Sequence, residues 1–403
     1  MEVKPGYKQT EVGVIPEAWG VTEVKDVTRS HKQGFYTKDS YVSNGVRLVR
    51  ITDLMNPRVD YGAMPMLRIS CGDLDLYKIK RGDFLFARSG AIGRYGIVCE
   101  DVEAVFGSYI IRFAFDSTQL NTEYFGFLYE TEVVWRQLSS ITQGSSNINI
   151  NASNIKSIQI PLPPLHEQRA IAGALGEVDA LIGALDQLFT KNRDLKQGAL
   201  QQLLTGKTRL PGFETKRGYK QTEVGGIPGN WETATLSALS SMKSGEGITS
   251  TNIDQFSKYP CYGGNGLRGF TTRFTHDGRY ALVGRQGALC GNVLGVEGKF
   301  FASEHAIVVT ASPRTDIRWL TFVLGEMHLN QYSESSAQPG LSVSKILSLN
   351  IACPPSKAEQ TAIAKVLSDM DAELAALEQR RDKTRSLKQG MMQELLTGRT
   401  RLV

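Results

Sequence analysis

The sequence predicts an α+β protein with a pseudo-twofold internal repeat, in which two β-rich domains are joined and spaced by two long antiparallel coiled-coil helices. Three observations carry this reading. The chain repeats both an opening and a closing motif. Between the motifs, short apolar runs alternate with glycine- and proline-rich breaks. Each half then ends in a stretch with coiled-coil periodicity.

The opening motif, Gly6-Tyr7-Lys8-Gln9-Thr10-Glu11-Val12-Gly13, returns unchanged at Gly218 to Gly225, and Ile15-Pro16 and Trp19 return as Ile227-Pro228 and Trp231. At the far end of each half, Leu195-Lys196-Gln197-Gly198 returns as Leu387-Lys388-Gln389-Gly390. Leu203-Leu204-Thr205-Gly206-Lys207-Thr208-Arg209-Leu210 likewise returns as Leu395-Leu396-Thr397-Gly398-Arg399-Thr400-Arg401-Leu402. The period is too long for a solenoid unit and indicates two tandem domains of one fold. The boundaries follow: β-rich domains over residues 1–163 and 211–354, and helices over 164–210 and 355–403.

Between the landmarks a common skeleton persists. Arg88-Ser89-Gly90-Ala91-Ile92 aligns with Arg285-Gln286-Gly287-Ala288-Leu289, and Phe106-Gly107-Ser108 with Phe301-Ala302-Ser303. Strand-like runs follow at Ile110-Ile111-Arg112-Phe113 and Ala306-Ile307-Val308-Val309. A helical patch and a polar loop containing Gln143 or Gln338 complete each domain.

The helices open after Pro163-Pro164 and Pro354-Pro355, where proline ends the preceding strand. Ile171, Leu175, Val178, Ile182, Leu185 and Phe189 then alternate spacings of four and three, as do Ile363, Leu367, Met370, Leu374 and Leu377. That is a coiled-coil seam. Helices from near Glu167 to Leu204 and from near Glu359 to Leu396 would each span about 57 Å. So narrow a stripe needs a partner, and the same stripe in the other copy supplies one.

The five cysteines (Cys71, Cys99, Cys261, Cys290 and Cys353) form no Cys-x-x-Cys pair and read as reduced, mostly buried thiols. No run of about 18 apolar residues occurs, so the expected location is the cytoplasm, without a membrane anchor. The net charge of +5 decides little. Lys+Arg against Asp+Glu is 18 against 18 over residues 1–160 and 11 against 10 over 218–355, and a neutral block can still fold to present a basic face.

A variable β-rich domain, then Pro163-Pro164-Leu165-His166-Glu167-Gln168 or Pro354-Pro355-Ser356-Lys357-Ala358-Glu359-Gln360, then a long helix ending in Leu-Leu-Thr-Gly-x-Thr-Arg-Leu, all of it repeated, resembles the type I restriction–modification specificity subunits. The resemblance covers essentially the whole chain. It implies that each variable region is a target recognition domain reading one half of a split double-stranded DNA sequence. It also implies that the paired helices space the two domains and dock two methyltransferase subunits, while restriction/translocase subunits cut. The subunit would be non-catalytic and carry no cofactor, with the methyl donor and ATP/Mg on partner chains.

Candidate DNA contacts follow from residue chemistry. Arg88 and Arg285, on glycine-containing turns, can clamp a phosphate or take guanine through its two major-groove acceptors; pairing with a neighbouring carboxylate is the ordinary alternative. Ser89, Arg94 and Gln286 lie on or just after the same turns, and Ser108 and Ser303 close the matched Phe106 and Phe301 segments. Gln143, with Ser145 and Asn147, and Gln338 lie in polar loops and can take adenine bidentately, or can be merely solvated. Tyr259, Tyr262, Asn265 and Arg268 form a polar and aromatic cluster that core packing explains nearly as well. On the helices, Arg193, Lys196, Arg385 and Lys388, outside the seam, are the candidate subunit contacts, against the alternative of a solvated face.

Several motifs only imitate catalytic ones. Gly264-Asn265-Gly266-Leu267-Arg268-Gly269 has dinucleotide-loop spacing but leads into Phe270-Thr271-Thr272-Arg273-Phe274, which does not read as a helix. Asp277 with Glu297-Gly298-Lys299 has the order of a nuclease metal site, a pattern common by chance. The five histidines (His31, His166, His276, His305 and His328) lack metal-ligand spacing. Two rival readings stay open: an enzyme with its own methyl-transfer or nuclease site, and a coiled-coil adaptor that binds only proteins.

Overall fold

A computed structural model describes residues 4–88, 93–142, 150–214, 218–287, 289–333 and 340–402. The chain divides into two compact units, residues 1–185 with 380–403, and residues 186–379. The long helices are Leu165–Leu204 and Lys357–Leu395, so each unit contains the front of one and the back of the other. Antiparallel pairing explains this exchange. In the first unit Lys388 Nζ meets Asp179 Oδ1 at 2.8 Å, and Leu395 and Leu396 share a core with Ile171 and Leu175. In the second, Asn192 Nδ2 donates to Glu373 Oε1 at 3.0 Å, and Leu200 and Leu203 share a core with Ile363 and Leu367.

The repeated motifs meet where these helices end. In the first unit the glycine that stops the second long helix, Gly398, has φ +69°, a left-handed conformation that glycine adopts without steric cost. A Cβ there would lie 2.5 Å from Pro16. The Tyr7 hydroxyl donates to its carbonyl at 3.0 Å. Gly206 repeats all three features in the second unit: φ +69°, a Cβ contact of 2.5 Å with Pro228, and a 3.1 Å bond from the Tyr219 hydroxyl. The closing motif of one half therefore docks on the opening motif of the other.

A buried ion pair completes each junction. Glu167 is fully buried, accepts from Trp19 Nε1 at 3.0 Å and is held by the Arg401 guanidinium, whose Nη2 donates to Oε2 at 2.8 Å. Glu359 accepts from Arg209 at 2.6 and 2.9 Å and from Trp231 Nε1 at 3.3 Å. The neighbouring glutamines tie the helix starts to the domains: the Gln168 carboxamide accepts from the Asn121 N–H and Gln360 from the Asp316 N–H, both at 2.8 Å. The extra residue before Glu359 is absorbed ahead of this junction, so both glutamates play the same part.

The first unit builds a four-stranded sheet in the order Thr28–Gln33, Ile110–Phe115, Phe84–Ala87, Tyr95–Ile97. Beside it is a three-stranded sheet of Met66–Leu67, Val46–Val49 and Ala104–Phe106. The second unit places six strands in one sheet, in the order Ser240–Ser244, Ala306–Ala311, His276–Gly284, Val293–Ala302, Tyr259–Gly263, Gly266–Thr271. The expected β-rich domains and paired long helices are present. Among the described residues, no helix is long and apolar enough to cross a membrane. Cys261, Cys290 and Cys353 are buried, whereas Cys71 and Cys99 are exposed.

Candidate nucleic-acid interface

One backbone frame recurs at the end of the main sheet in both units. The Arg88 N–H donates to the Tyr109 carbonyl at 2.8 Å, and the Arg88 carbonyl accepts from the Ile150 N–H at 3.0 Å. Arg285 does the same with His305 and Leu341, at 2.9 Å each. Gly34 N–H donates to Ile110 O and Gly245 N–H to Ala306 O, both at 2.9 Å. Glycine is required at both places, since a Cβ would come within 2.1 Å of Gly107 O or 2.3 Å of Ala302 O. Each frame closes with a four-residue turn, Ile110 N–H to Gly107 O and Ala306 N–H to Ser303 O, at 2.9 Å.

These bonds correct the sequence alignment by one residue: Phe106 matches Ala302, not Phe301, and Ser108 matches Glu304. Ser303 takes the place of Gly107 and is fully buried, its Oγ accepting from the His305 N–H at 3.4 Å. It has no surface to offer DNA, because it forms the base of the turn.

The other candidates separate by position. Arg285 is half-buried and its Nη1 donates to Ser244 Oγ at 3.1 Å, so neither it nor the half-buried Arg88 is paired to a carboxylate by any ion pair found among the described residues. Gln286 is exposed. The hairpin turn carrying Asn265 lies against it, since a Cβ on Gly264 would be 3.0 Å from His305 O and 3.3 Å from Gln286 O. Arg285, Gln286, His305 and the Asn265 turn thus converge. Arg268 is exposed on the same hairpin. Tyr259 packs on Phe274 at the opposite end. Tyr262 is half-buried with its ring edge-on to Phe300, centroids 5.9 Å apart, as the packing alternative expects. In the first unit Arg94 is exposed, Ser108 is half-buried, and the Ser108 carbonyl accepts from Gln33 Nε2 at 3.4 Å. Ser89, Gln143, Ser145, Asn147 and Gln338 lie outside the described residues.

The catalytic look-alikes have structural roles. The Gly264–Gly269 run is a β-hairpin. Asp277 pairs in register with Lys299, and Arg279 with Glu297, forming ion pairs at 3.9 and 2.8 Å, so this patch is a charged cross-strand ladder. His31 stacks on Phe113 and His276 on Phe300; burial lowers the basicity of both rings. Among the described residues, no group of three or more His, Cys, Asp or Glu is placed to hold a metal.

Comparison with known proteins fits this duplicated frame. The chain matches the family described as "Type I restriction modification DNA specificity domain" twice, over residues 16–191 and 228–384. It belongs to the type I restriction–modification specificity family. A relative, the type I restriction enzyme EcoprrI specificity subunit of Escherichia coli, is 43% identical over 157 residues, 38% of each chain. The putative MjaX specificity subunit of Methanocaldococcus jannaschii is 27% identical over 238 residues, 57% of this chain and 54% of that one. The matches thus span about half or less of these relatives. Among solved structures, a type I restriction–modification S subunit from M. genitalium superimposes with a TM-score of 0.67 at 16% identity, covering 98% of both chains, a likeness of fold.

For a specificity-family chain, the candidate helix contacts divide. Lys388 is 16% exposed, pairs with Asp179 and with Glu130 at 3.6 Å, and lies over the Phe127 ring. Lys196, 21% exposed, pairs with Asp371 and lies near the Phe322 ring. Both lysines turn inward and tie the helix pair to the unit that carries it, which removes them from an outward partner surface. Arg193 and Arg385 remain exposed, with Asp194 at 3.7 Å and Asp382 at 3.9 Å respectively.

Sequence reasoning missed the turn residues. Tyr109 is 63% exposed, and His305 is exposed too. A usable signal existed: Ile110 and Ala306 stand 196 residues apart, whereas Phe106 and Phe301 stand 195 apart. That mismatch marks the slipped alignment.

Proposed function

We propose that this chain is the DNA-reading subunit of a type I restriction–modification assembly, and that each unit grips one half of a split, asymmetric sequence on double-stranded DNA. The observation that carries the reading is the duplicated frame, which among the described residues holds an arginine clear of carboxylate partners beside exposed hydrogen-bonding side chains in both units. Such groups suit phosphate clamping and base-edge readout. Arg88, Arg94, Arg285, Gln286, Asn265 and Arg268 are the contacts that geometry favours. Ser89, Gln143, Ser145, Asn147 and Gln338 stay in the proposal on sequence grounds, whereas Ser108, Tyr259 and Tyr262 are secondary.

In this reading the chain is non-catalytic and acts on DNA in the cytoplasm. Two methyltransferase subunits bring the methyl donor, and restriction/translocase subunits bring ATP and Mg. Arg193 and Arg385 face outward where the methyltransferase subunits would dock. Genome-wide mapping of methylated bases, in cells that carry the chain with its partner subunits, tests the proposal. A split methylated motif that disappears when the chain is deleted is expected; an uninterrupted motif, or one unaffected by deletion, would overturn it.

A further inference from the structure

The two frames differ most tellingly at one position. Tyr109 and His305 are the third residues of equivalent four-residue turns, and the carbonyl of each is fixed by an arginine N–H. The backbone is the same while the side chain changes. Both side chains stand in solvent although both ends of the turn are tied, and a largely exposed tyrosine on a fixed turn gives the fold little burial in return. The second unit adds a brace. His305 Nε2 lies 3.2 Å from Glu304 Oε1, and the other Glu304 oxygen accepts from the Ile248 N–H at 3.3 Å.

Building on the function proposed above, we infer that Tyr109 and His305 are specificity-determining residues at equivalent places in the two half-sites, and that the difference between them makes the half-sites differ. The carboxylate fixes which ring nitrogen of His305 is left to read a base. With Nε2–H donated to Glu304, Nδ1 is the free one, an acceptor in the neutral imidazole and a donor in the imidazolium. In the major groove an acceptor matches the N6 amino group of adenine or the N4 amino group of cytosine, and a donor matches N7 or O6 of guanine. Tyr109 has no such brace: in the first unit Ser108 stands where Glu304 stands in the second. Its hydroxyl both donates and accepts, so it distinguishes bases by the position of the ring and is the more permissive reader.

The test uses full-length chain co-expressed with methyltransferase subunits that support methylation by the parent, and reads methylated motifs across the host genome. His305→Ala should keep the first half-site and the spacer while relaxing one base pair of the second half-site. Methylation of parent sites should fall about tenfold or more relative to sites substituted at that position. Tyr109→Phe and Tyr109→Ala should alter only the other half-site. Glu304→Gln should relax the same base pair as His305→Ala, because it loosens the ring without removing it. Thermal melting of each variant separates misfolding from misreading, and the exposed Tyr109→Phe change preserves the ring. Parent-like motifs in folded His305→Ala and Tyr109→Ala would overturn the inference while leaving the proposed function standing. A parent chain that yields no split motif would remove the function itself.

Discussion

Replacing Arg209 with alanine strands Glu359. The Arg209 and Glu359 side chains are 10% and 2% exposed, so water does not take over when the guanidinium is lost. Two charge-assisted bonds disappear, leaving the carboxylate with the Trp231 indole N–H at 3.3 Å. Breaking one side of a buried pair costs about 3–5 kcal/mol, a large share of the ~5–15 kcal/mol that holds a domain together. Glu359→Gln in the same chain removes the uncompensated charge while keeping an acceptor for Trp231, so the double variant should recover about 2 kcal/mol or more of the loss. In the first unit Arg401 is 35% exposed and its removal lets solvent reach Glu167, so Arg401→Ala should cost less, about 1–3 kcal/mol. Because the two units need not unfold together, hydrogen exchange at the start of the second long helix and around Trp231 is a better measure than a single melting curve. Protection in Arg209→Ala within about 1 kcal/mol of the parent, or a double variant no better than the single one, would refute the argument.

The remaining predictions concern charge, chemistry and modularity. Lys388→Glu would place three carboxylates together beside Asp179 and Glu130, so it should lower the melting temperature of the first unit sharply, whereas Arg193→Glu, at an exposed site, should leave melting unchanged and weaken co-purification with the methyltransferase. Burial pushes the Cys353 thiol up to about 11, leaving about one part in a thousand as thiolate at pH 8, so alkylation of the native chain should reach exposed Cys71 long before Cys353. Because the folded thiol titrates above its usual value of 9.0, its contribution to stability is complete below that pH and is lost as pH rises through about 11; Cys353→Ala should flatten the alkaline part of the second unit's stability profile. Exchanging residues 20–160 for the matching segment of a homologue should change one half of the methylated motif, and a change in both halves would contradict separate readers.

The repeat, the β-rich domains and the long helices were legible in the sequence because periodicity and exact duplication are properties of the chain itself. The seam residues Ile171, Leu175, Ile363 and Leu367 could be found by spacing alone, since a narrow apolar stripe on a long helix has to be covered. Spacing did not reveal which charges face inward. Lys196 and Lys388 look solvent-facing along the helix, and only the approach of Phe322, Phe127 and Glu130 from the head of the same unit turns them into half-buried ties.

The sequence by itself determined that the opening and closing motifs matter, since each is written twice. Only the tertiary structure decided that the Thr-Gly end of one half closes on the Gly-Tyr-Lys-Gln opening and the buried glutamate of the other, because antiparallel helices bring together residues as distant in sequence as Glu167 and Arg401. The tertiary structure also decided which turn residues stand together. In divergent segments, strand register is set by close backbone approach at Gly34 and Gly245 and by long-range hydrogen bonds, neither of which a linear alignment contains.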